Sequence, residues 1–227
     1  RDRRTLRAIY NKAIKAGIVE QQHYPFKAYK IKSEKTKKRA LPIEDLRAII
    51  ALDLDEDHPA FHARNFFLAS YMMYGMSYID MAFLKVSDLS KGRVAYKRKK
   101  SGKEYDIKVS EQLQAILDFY TQNKEQDQFV FPIIKRTALS DQYKDIEWAR
   151  KRYNKALRII GELCSIEQQM TSYVSRHSFA TQAKMLGIPV VAISEMLGHE
   201  SITTTQVYLD SLPSTVLDSY NEQIMHL

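Results

Sequence analysis

The chain has 227 residues, 44% of them hydrophobic, and its 35 lysines and arginines against 27 aspartates and glutamates give a formal net charge of +8. This length can bury a core without disulfide support. The single cysteine, Cys164, excludes an internal disulfide, and no run approaches the ~18 apolar residues that span a bilayer. The composition predicts a globular protein of a reducing cytoplasm, and the positive charge favours nucleic acid as a partner.

The first segment of the chain has the pattern of an amphipathic helix that ends at Gly17. It opens with RDRRTLRAIY, which contains neither an initiator methionine nor a signal peptide, and this indicates a fragment that begins inside a helix. The stretch KIKSEKTKKR, at 30 to 39, lacks an apolar face and is expected to be a linker. The predicted organisation is a helical segment at 1–30, a basic linker at 31–39 and a second domain at 40–227.

The second domain is predicted to be mainly helical. A helix begins at LPIEDLRAII, where proline occupies the first turn and two acids lie near the positive helix end. ARNFFLASYMMYGM is apolar on nearly every side and is therefore expected to be a buried central helix. Helical spacing returns from Ile146 to Ile160. Further helices are predicted at 175–186, from Pro189 to Leu197, around Tyr208 and at 213–226.

A hairpin interrupts the helices. GRVAYKRK and EYDIKVS alternate between apolar and polar residues, and KSG supplies the turn, with Lys100 near the tip. QFVFP is a candidate third strand. The predicted fold class is therefore mainly α with a small antiparallel β-sheet, an α+β arrangement.

Two basic clusters are candidates for contact with DNA phosphates. The alternative for either cluster alone is a solvated surface. The candidate residues in the linker and in the hairpin are Lys37, Lys38, Arg39, Lys97, Arg98, Lys99 and Lys103.

Three residues of the C-terminal third suggest phosphate chemistry. Arg176 is expected in the first turn of a helix capped by Ser175, where a cation opposes the helix dipole unless an anion binds there. Its alternative role is a surface arginine paired with an acid. His199, which follows the helix-ending Gly198, has the alternative of a capping or core histidine, and Tyr208 has the alternative of a packing residue.

These residues occur in motifs that resemble one family. RHSFAT, followed by LGHESITTTQVY in which Tyr208 comes nine positions after His199, resembles the C-terminal signature of the tyrosine recombinases of the phage integrase family. The basic hairpin and the pattern GMSYIDMAFLKVSDL extend the resemblance over residues from about 40 to 227. Residues 1–30 resemble the last helix of that family's core-binding domain, so the resemblance implies a catalytic domain preceded by a truncated core-binding domain.

The resemblance implies site-specific DNA recombination. Tyr208 would attack the scissile phosphate, form a 3'-phosphotyrosyl link and release a 5'-hydroxyl. Because the energy of the broken phosphodiester bond would be kept in the phosphotyrosyl bond, neither a metal nor a high-energy cofactor would be required. Arg176 and His199 would stabilise the pentacoordinate transition state. Lys100 would protonate the leaving oxygen.

Two positions depart from the family pattern. Ser77 stands where the family has an arginine, and Tyr173 stands where it usually has a histidine. Ser77 is expected to cap a helix together with Asp80. A branch of the family found on integrative elements and invertible DNA segments is similar in having GMS here. We hypothesise that another cation replaces the missing one, with Arg64 as the first candidate. Arg93 and Arg98 are weaker candidates.

The resemblance also implies the partners. Exchange of strands between two duplexes requires four active sites, hence a tetramer on double-stranded DNA, with a weakly associated or monomeric protein when free. Accessory DNA-bending proteins are further candidates, and the expected location is the bacterial cytoplasm at the nucleoid. The terminal helix STVLDSYNEQIMHL is expected to dock on a neighbouring protomer or on its own domain. Alternatives are a catalytically impaired DNA-binding relative and a type IB topoisomerase.

Overall fold

The computed structural model describes residues 2–27, 39–206, 221, 222 and 225. Tyr208, Lys37, Lys38 and most of the predicted helix at 213–226 lie outside the described residues. The chain divides into two compact units, one within residues 1–37 and the other within residues 38–227. No helix in the described parts is long and apolar enough to cross a membrane.

The first unit is built on helix α1, Asp2–Lys15. The helix ends before Gly17, which adopts a left-handed φ of 71°, as predicted. A single 3-10 turn follows at Gln21–His23. Beyond that turn, Tyr24 and Phe26 return to the helix and pack edge-on against Tyr10, with ring centroids 6.3 and 6.2 Å away. This small aromatic cluster stabilises the unit.

The second unit contains most of the helices and the sheet. Its described helices are α2 Ile43–Ala51, α3 Phe61–Met72, α4 Tyr78–Ala82, α5 Glu111–Thr121, α6 Leu139–Leu163, α7 Val174–Met185, α8 Val190–Leu197 and α9 Ile202–Gln206. Its strands are β1 Leu89–Ser90, β2 Arg93–Lys97 and β3 Glu104–Lys108. The fold class is therefore mainly α with a small antiparallel sheet, as predicted.

The core is organised around α3, which confirms the predicted central helix. This helix contacts α5, α6 and α7, and Phe67 and Ala69 are fully buried. Phe66 joins α3 to α6 through an edge-on contact with Tyr153 at 5.9 Å. Because α7 packs directly on α3, the first turn of α7 is held firmly in place.

The sheet has the order β1-β2-β3, and both pairs of strands are antiparallel. The predicted hairpin is β2 and β3, in which Tyr96 faces Tyr105 with the rings stacked at 4.9 Å. The suggestion of a strand at QFVFP was wrong, because Phe129 forms only an isolated bridge with Lys85 and the third strand is β1. The segment instead buries Val130 and Phe131 in the core, and Pro132 cannot donate to a strand ladder.

The two helices that carry the candidate site end at glycines, as predicted. α7 is followed by Gly187 with a φ of 78°, and α8 ends at Gly198 with a φ of 63°. One expectation was wrong: α7 begins at Val174, so Ser175 lies inside the helix and does not cap it. Its hydroxyl is buried and hydrogen-bonds Ser70 Oγ at 2.7 Å. Because a buried hydroxyl requires a hydrogen-bond partner, the Ser175 hydroxyl pairs with Ser70 on α3.

Candidate active site

Arg176 is the buried centre of the candidate site. It lies in the first turn of α7 with 5% of its surface exposed. Its Nη1 donates to the carbonyl of Gly75 at 2.9 Å, and its Nη2 donates to the carbonyl of Leu197. These two acceptors are neutral, so they orient the guanidinium without cancelling its charge. A buried arginine held in this way is suited to bind an anion.

Gly75 permits the position of Arg176. The glycine has a φ of 67°, and a β-carbon added to it would lie 2.7 Å from Arg176 Cα and 2.8 Å from Arg176 Cγ. Such distances are too short for any side chain at position 75. The glycine of YGMS is therefore needed for the close approach of the α3–α4 connection to α7.

His199 lies directly after the turn that ends α8. Gly198 adopts the left-handed conformation, and a β-carbon there would overlap the hydroxyl of Tyr105 on β3. The His199 amide donates to the carbonyl of Ser194 at 3.0 Å. The turn thus seats the histidine between the hairpin and the first turn of α7.

The hydrogen bonds of His199 define its protonation state. Nε2 lies 3.2 Å from Arg176 Nη2, and Nδ1 lies 2.8 Å from Thr205 Oγ1. Because a guanidinium can only donate, Nε2 is the acceptor and carries no proton. The proton of the neutral ring is therefore on Nδ1, which donates to Thr205.

The charge environment of His199 favours this neutral form. Burial, followed by the positive charges of Arg176, Arg98 and Lys100, lowers the pKa of His199 to about 4. The imidazole is therefore an uncharged proton acceptor near neutral pH. Binding of an anion would oppose these causes and raise the pKa.

Lys100 reaches the same site from the hairpin. It is exposed at the tip of the turn between β2 and β3. The turn is closed by hydrogen bonds of 2.8 Å from the Arg98 amide to the Lys103 carbonyl and from the Gly102 amide to the Arg98 carbonyl. The charge of Lys100 contributes to the lowered pKa of His199. The structure therefore brings Lys100 close enough to act electrostatically on the cluster of charged and polar groups formed by Arg176 and His199.

Arg98 is the third cation beside His199, after Arg176 and Lys100. Its Nη1 donates to the carbonyls of Leu197 at 3.2 Å and Gly198 at 2.6 Å, so it clamps the turn that carries His199. The Nε atom lies 3.8 Å from Asp80 Oδ2, and the side chain is 11% exposed. Arg98 and Arg176 therefore hold the end of α8 from two sides.

Ser77 and Asp80 form a hydrogen-bonded pair that supports the hairpin. Ser77 caps α4 by accepting from the Asp80 amide at 3.3 Å, as predicted, and donates to Asp80 Oδ2 at 2.6 Å. Asp80 Oδ1 accepts from the amide of Lys99 at 2.8 Å. Asp80 therefore positions the hairpin through Lys99, whereas the sequence predicted only its part in a helix cap. Its link to Lys99 spans 19 residues and has no local sequence signal.

Tyr173 lies beside Arg176 at the surface. It is 42% exposed, and its ring meets the ring of His177 edge-on at 4.7 Å. Tyr173 lines one cavity together with Ser77 and Arg176. Burial and the charges of Arg39 and Arg176 lower the pKa of His177 to about 4.

Arg64 is not part of the cluster. Its Nη1 donates to Asn65 Oδ1 at 3.1 Å and its Nη2 to the carbonyl of Ile50 at 3.2 Å. The charges that act on His199 among the described residues do not include Arg64. The structure therefore does not bring Arg64 to the cluster as the hypothesis expected, because α3 directs its side chain toward α2. Arg93 is held by Asp106 at 2.5 Å.

The other candidate DNA-binding residues make different contacts. Lys103 Nζ donates to the carbonyl of Glu195 at 2.8 Å, and Lys99 Nζ lies 4.4 Å from the ring centroid of Phe83. Lys97 and Glu104 form an exposed pair at 3.9 Å. Arg39 is exposed, and its carbonyl accepts from Gln168. Lys103 therefore contacts α8, one of the helices of the candidate site, whereas Lys99 and Lys97 contact Phe83 and Glu104.

Comparison with known proteins assigns the family. Residues 39–214 match the Phage integrase family, and the chain belongs to that family. It is 28% identical over 199 residues to tyrosine recombinase XerD of Halalkalibacterium halodurans, which covers 83% of this chain and 62% of that protein. It is 35% identical over 72 residues to tyrosine recombinase XerD of Bifidobacterium longum, covering 32% of this chain and 23% of that protein. The chain thus spans 62% or less of the length of these two relatives.

Solved structures of integrases and recombinases share the fold. The Tn1549 transposon integrase in complex with transposon right end DNA superposes with a TM-score of 0.64 at 14% identity, over 99% of this chain and 78% of that chain. A lambda integrase dimer bound to a COC' core site gives a TM-score of 0.62 at 16% identity, over 92% and 71%. XerA recombinase gives 0.57 at 19% identity, over 98% and 82%.

Proposed function

We propose that the protein is a site-specific tyrosine recombinase that cleaves and rejoins double-stranded DNA through Tyr208. The observation that carries the proposal is the convergence of Arg176, His199, Arg98 and Lys100 in a chain of the phage integrase family. Four groups from α7, the end of α8 and the hairpin face one small volume. A phosphodiester is the anion that such a cluster can bind and activate.

The geometry supports a defined order of proton transfers. A phenol with an ordinary pKa near 10 needs a polarised phosphate and a proton acceptor. The unprotonated Nε2 of His199 accepts the Tyr208 proton as the phenolic oxygen bonds to phosphorus. The imidazolium keeps this proton and donates a hydrogen bond to a non-bridging oxygen, Arg176 balances the charge of the pentacoordinate transition state, and Lys100 transfers its own proton to the departing 5'-oxygen. Attack by another strand's 5'-hydroxyl reverses these steps.

Arg98 supplies the charge that Ser77 lacks. Arg98 acts on His199 electrostatically and is fixed to Gly198 and Asp80. The protein therefore belongs, in this proposal, to the branch of the family with serine at this position. Loss of a transition-state arginine costs on the order of a thousandfold in rate, so a replacement is needed for activity.

The proposed partners follow from the reaction. Strand exchange requires four active sites, so we expect a tetramer on DNA and a monomer in its absence, with accessory DNA-bending proteins as further partners. The DNA is that of an integrative element or an invertible segment in the bacterial nucleoid. The second candidate is a relative that binds DNA and does not cleave it, which the substitutions at Ser77 and Tyr173 favour.

The decisive experiment traps the covalent intermediate. The full-length protein is incubated with nicked duplexes that carry the ends of the element encoding it, and adducts are separated on a denaturing gel beside the Tyr208→Phe variant. An adduct that disappears in Tyr208→Phe is the expected result. A gel shift on the same DNA without any adduct would replace the proposal by the binding-only function, and relaxation of plasmids without site preference would indicate a topoisomerase.

The same assay tests Arg98. Arg98→Ala should lose adduct formation by about a thousandfold, while Arg98→Lys, which keeps the charge, should retain part of it. Arg64→Ala and Arg93→Ala are matched controls that remove an arginine outside the cluster, and both should leave cleavage close to the parent rate. Equal losses in the three alanine variants would contradict the assignment of Arg98.

A further inference from the structure

A cavity of about 410 Å³ extends from Arg176 away from the hairpin. It lies between the Gly75–Ile79 segment, the first half of α6 and the start of α7, and we call it the flanking cavity. Its lining includes Ser77, Tyr143, Glu147, Arg150, Tyr173 and Arg176. It therefore shares Arg176 with the proposed phosphate site and includes Ser77, which stands where the family has its other arginine.

Arg150 is the cation of this cavity that the proposed reaction leaves without a role. Its side chain is exposed, and it makes no hydrogen bond or ion pair with any residue in the described part of the chain. Its charge acts on Tyr78 and Glu147. Glu147, the acid of this lining, is paired with Lys151 at 2.9 Å. The charge of Arg150 therefore remains available to an anion in the cavity.

Two exposed tyrosines in the lining of the cavity suit the binding of a nucleotide. Tyr143 is 48% exposed and Tyr173 is 42% exposed, and both line the cavity that Arg150 and Arg176 share. Phenol rings can pack against sugars and bases, and their hydroxyls can donate to phosphate oxygens. Two arginines in the lining of one cavity match successive phosphates of a strand better than an isolated anion.

We propose that the flanking cavity binds the DNA nucleotide adjacent to the cleaved phosphate, with Arg150 contacting the next phosphodiester along the strand. This subsite rests on the proposed function, because its ligand is the DNA that Tyr208 cleaves. It adds a cation on the side of the site where Ser77 has removed one. Arg150 is a DNA-positioning residue in this proposal, whereas Arg176 contacts the reacting phosphate.

The chain offers a matched control in Arg152. It belongs to the same helix and is exposed, and it also makes no hydrogen bond or ion pair within the described part of the chain. Residues two apart in an α-helix point about 200° apart, and Arg152 accordingly lines a different cavity, with Phe66 and Tyr153. Arg150→Ala and Arg152→Ala remove the same charge from two faces of α6.

The test is binding of the full-length protein to the duplex used for trapping, measured as a function of salt concentration. Each lost phosphate contact reduces the slope of log affinity against log salt by about one. We expect that reduction for Arg150→Ala and an unchanged slope for Arg152→Ala. Equal slopes in the two variants, whether both reduced or both unchanged, would overturn the subsite.

A chemical version of the experiment locates the contact. Phosphates around the cleaved one are replaced singly by uncharged methylphosphonates. At the phosphate that Arg150 contacts, the replacement should weaken binding of the parent protein about tenfold and leave Arg150→Ala almost unaffected. Independent losses at every position would overturn the subsite. Because binding is read separately from the Tyr208 adduct, absence of the adduct with a selective Arg150 effect would refute cleavage and reduce the subsite to a phosphate contact of a protein that only binds DNA.

Discussion

His199 and Arg176 are joined by a hydrogen bond of 3.2 Å in which the imidazole Nε2 accepts from the guanidinium. The bond connects the end of α8 to the first turn of α7. It requires a neutral imidazole, since a protonated ring would place two cations in contact. This hydrogen bond therefore forms only while His199 is unprotonated.

This relationship predicts an acid-sensitive stability. The pKa of His199 is lowered to about 4, whereas an unfolded histidine titrates near 6.5. Between these values the unfolded chain binds more protons, so the stabilisation is complete above about pH 6.5 and is lost as the pH falls toward 4. Urea unfolding at a series of pH values should show this decline.

The variants His199→Gln and His177→Gln separate the contributions to the acid sensitivity. The pKa of His177 is also lowered to about 4, by burial and by Arg39 and Arg176. Each substitution should make the pH dependence shallower, and the double variant should be the least sensitive to acid. A pH dependence that both single variants retain in full would show that other groups cause it.

Gly75→Ala should disrupt both the fold and the site. A β-carbon at this position would lie 2.7 Å from Arg176 Cα, and the φ of 67° adds strain. Gly92→Ala is the control, because its φ of 70° is similar while nothing lies within 4 Å of the added carbon. We expect Gly92→Ala to lower the free energy of unfolding by about 1 kcal/mol and Gly75→Ala to lower it by about 2–4 kcal/mol.

Denaturant unfolding of the two glycine variants measures the difference. The excess in Gly75→Ala reports the clash with Arg176, because the cost of the backbone conformation is common to both. The same free energy change in the two variants would mean that α7 moves away without cost.

Asp80→Asn should loosen the hairpin. The carboxylate is 1% exposed and holds Ser77, the Lys99 amide and Arg98. Its neutralisation should lower the free energy of unfolding by about 1–3 kcal/mol and speed amide exchange in the Arg98–Lys103 turn. Asp106→Asn, which alters the exposed pair with Arg93, should cost less than about 1 kcal/mol.

Hydrogen exchange with mass spectrometry distinguishes this local effect from a global loss of stability. Faster exchange confined to the turn in Asp80→Asn supports the positioning role. Uniformly faster exchange through the second unit would contradict it.

Tyr153→Phe should be neutral or stabilising. The Tyr153 hydroxyl is buried and has no hydrogen-bond partner among the residues that the structure describes, and an unsatisfied buried group destabilises the folded state. Tyr120→Phe is the matched control, because the Tyr120 hydroxyl is 2.7 Å from His62 Nδ1. We expect the control to lose about 1 kcal/mol. Thermal unfolding compares the two, and a larger loss for Tyr153→Phe would indicate a partner for its hydroxyl.

Local sequence patterns were sufficient for most elements. The apolar character of ARNFFLASYMMYGM predicted α3, and the alternation on both sides of KSG predicted β2 and β3. Gly187 and Gly198 marked the ends of α7 and α8. These features depend on residues within a few positions of each other, so periodicity and glycine placement encode them. The failure at QFVFP has the same origin, since a short apolar run does not specify whether a strand partner is available.

The sequence by itself determined the family signature, with Arg176, His199 and Tyr208 in order, because their spacing lies in one continuous segment of the chain. It did not determine which cation accompanies them. Arg98 lies 100 residues from Gly198, and Arg64, which interrupts an apolar stretch, was the more conspicuous candidate in sequence. Only the tertiary structure separates the positions of the two arginines, because the folding of the hairpin against α8 brings Arg98 to the turn before His199 while α3 directs Arg64 toward α2.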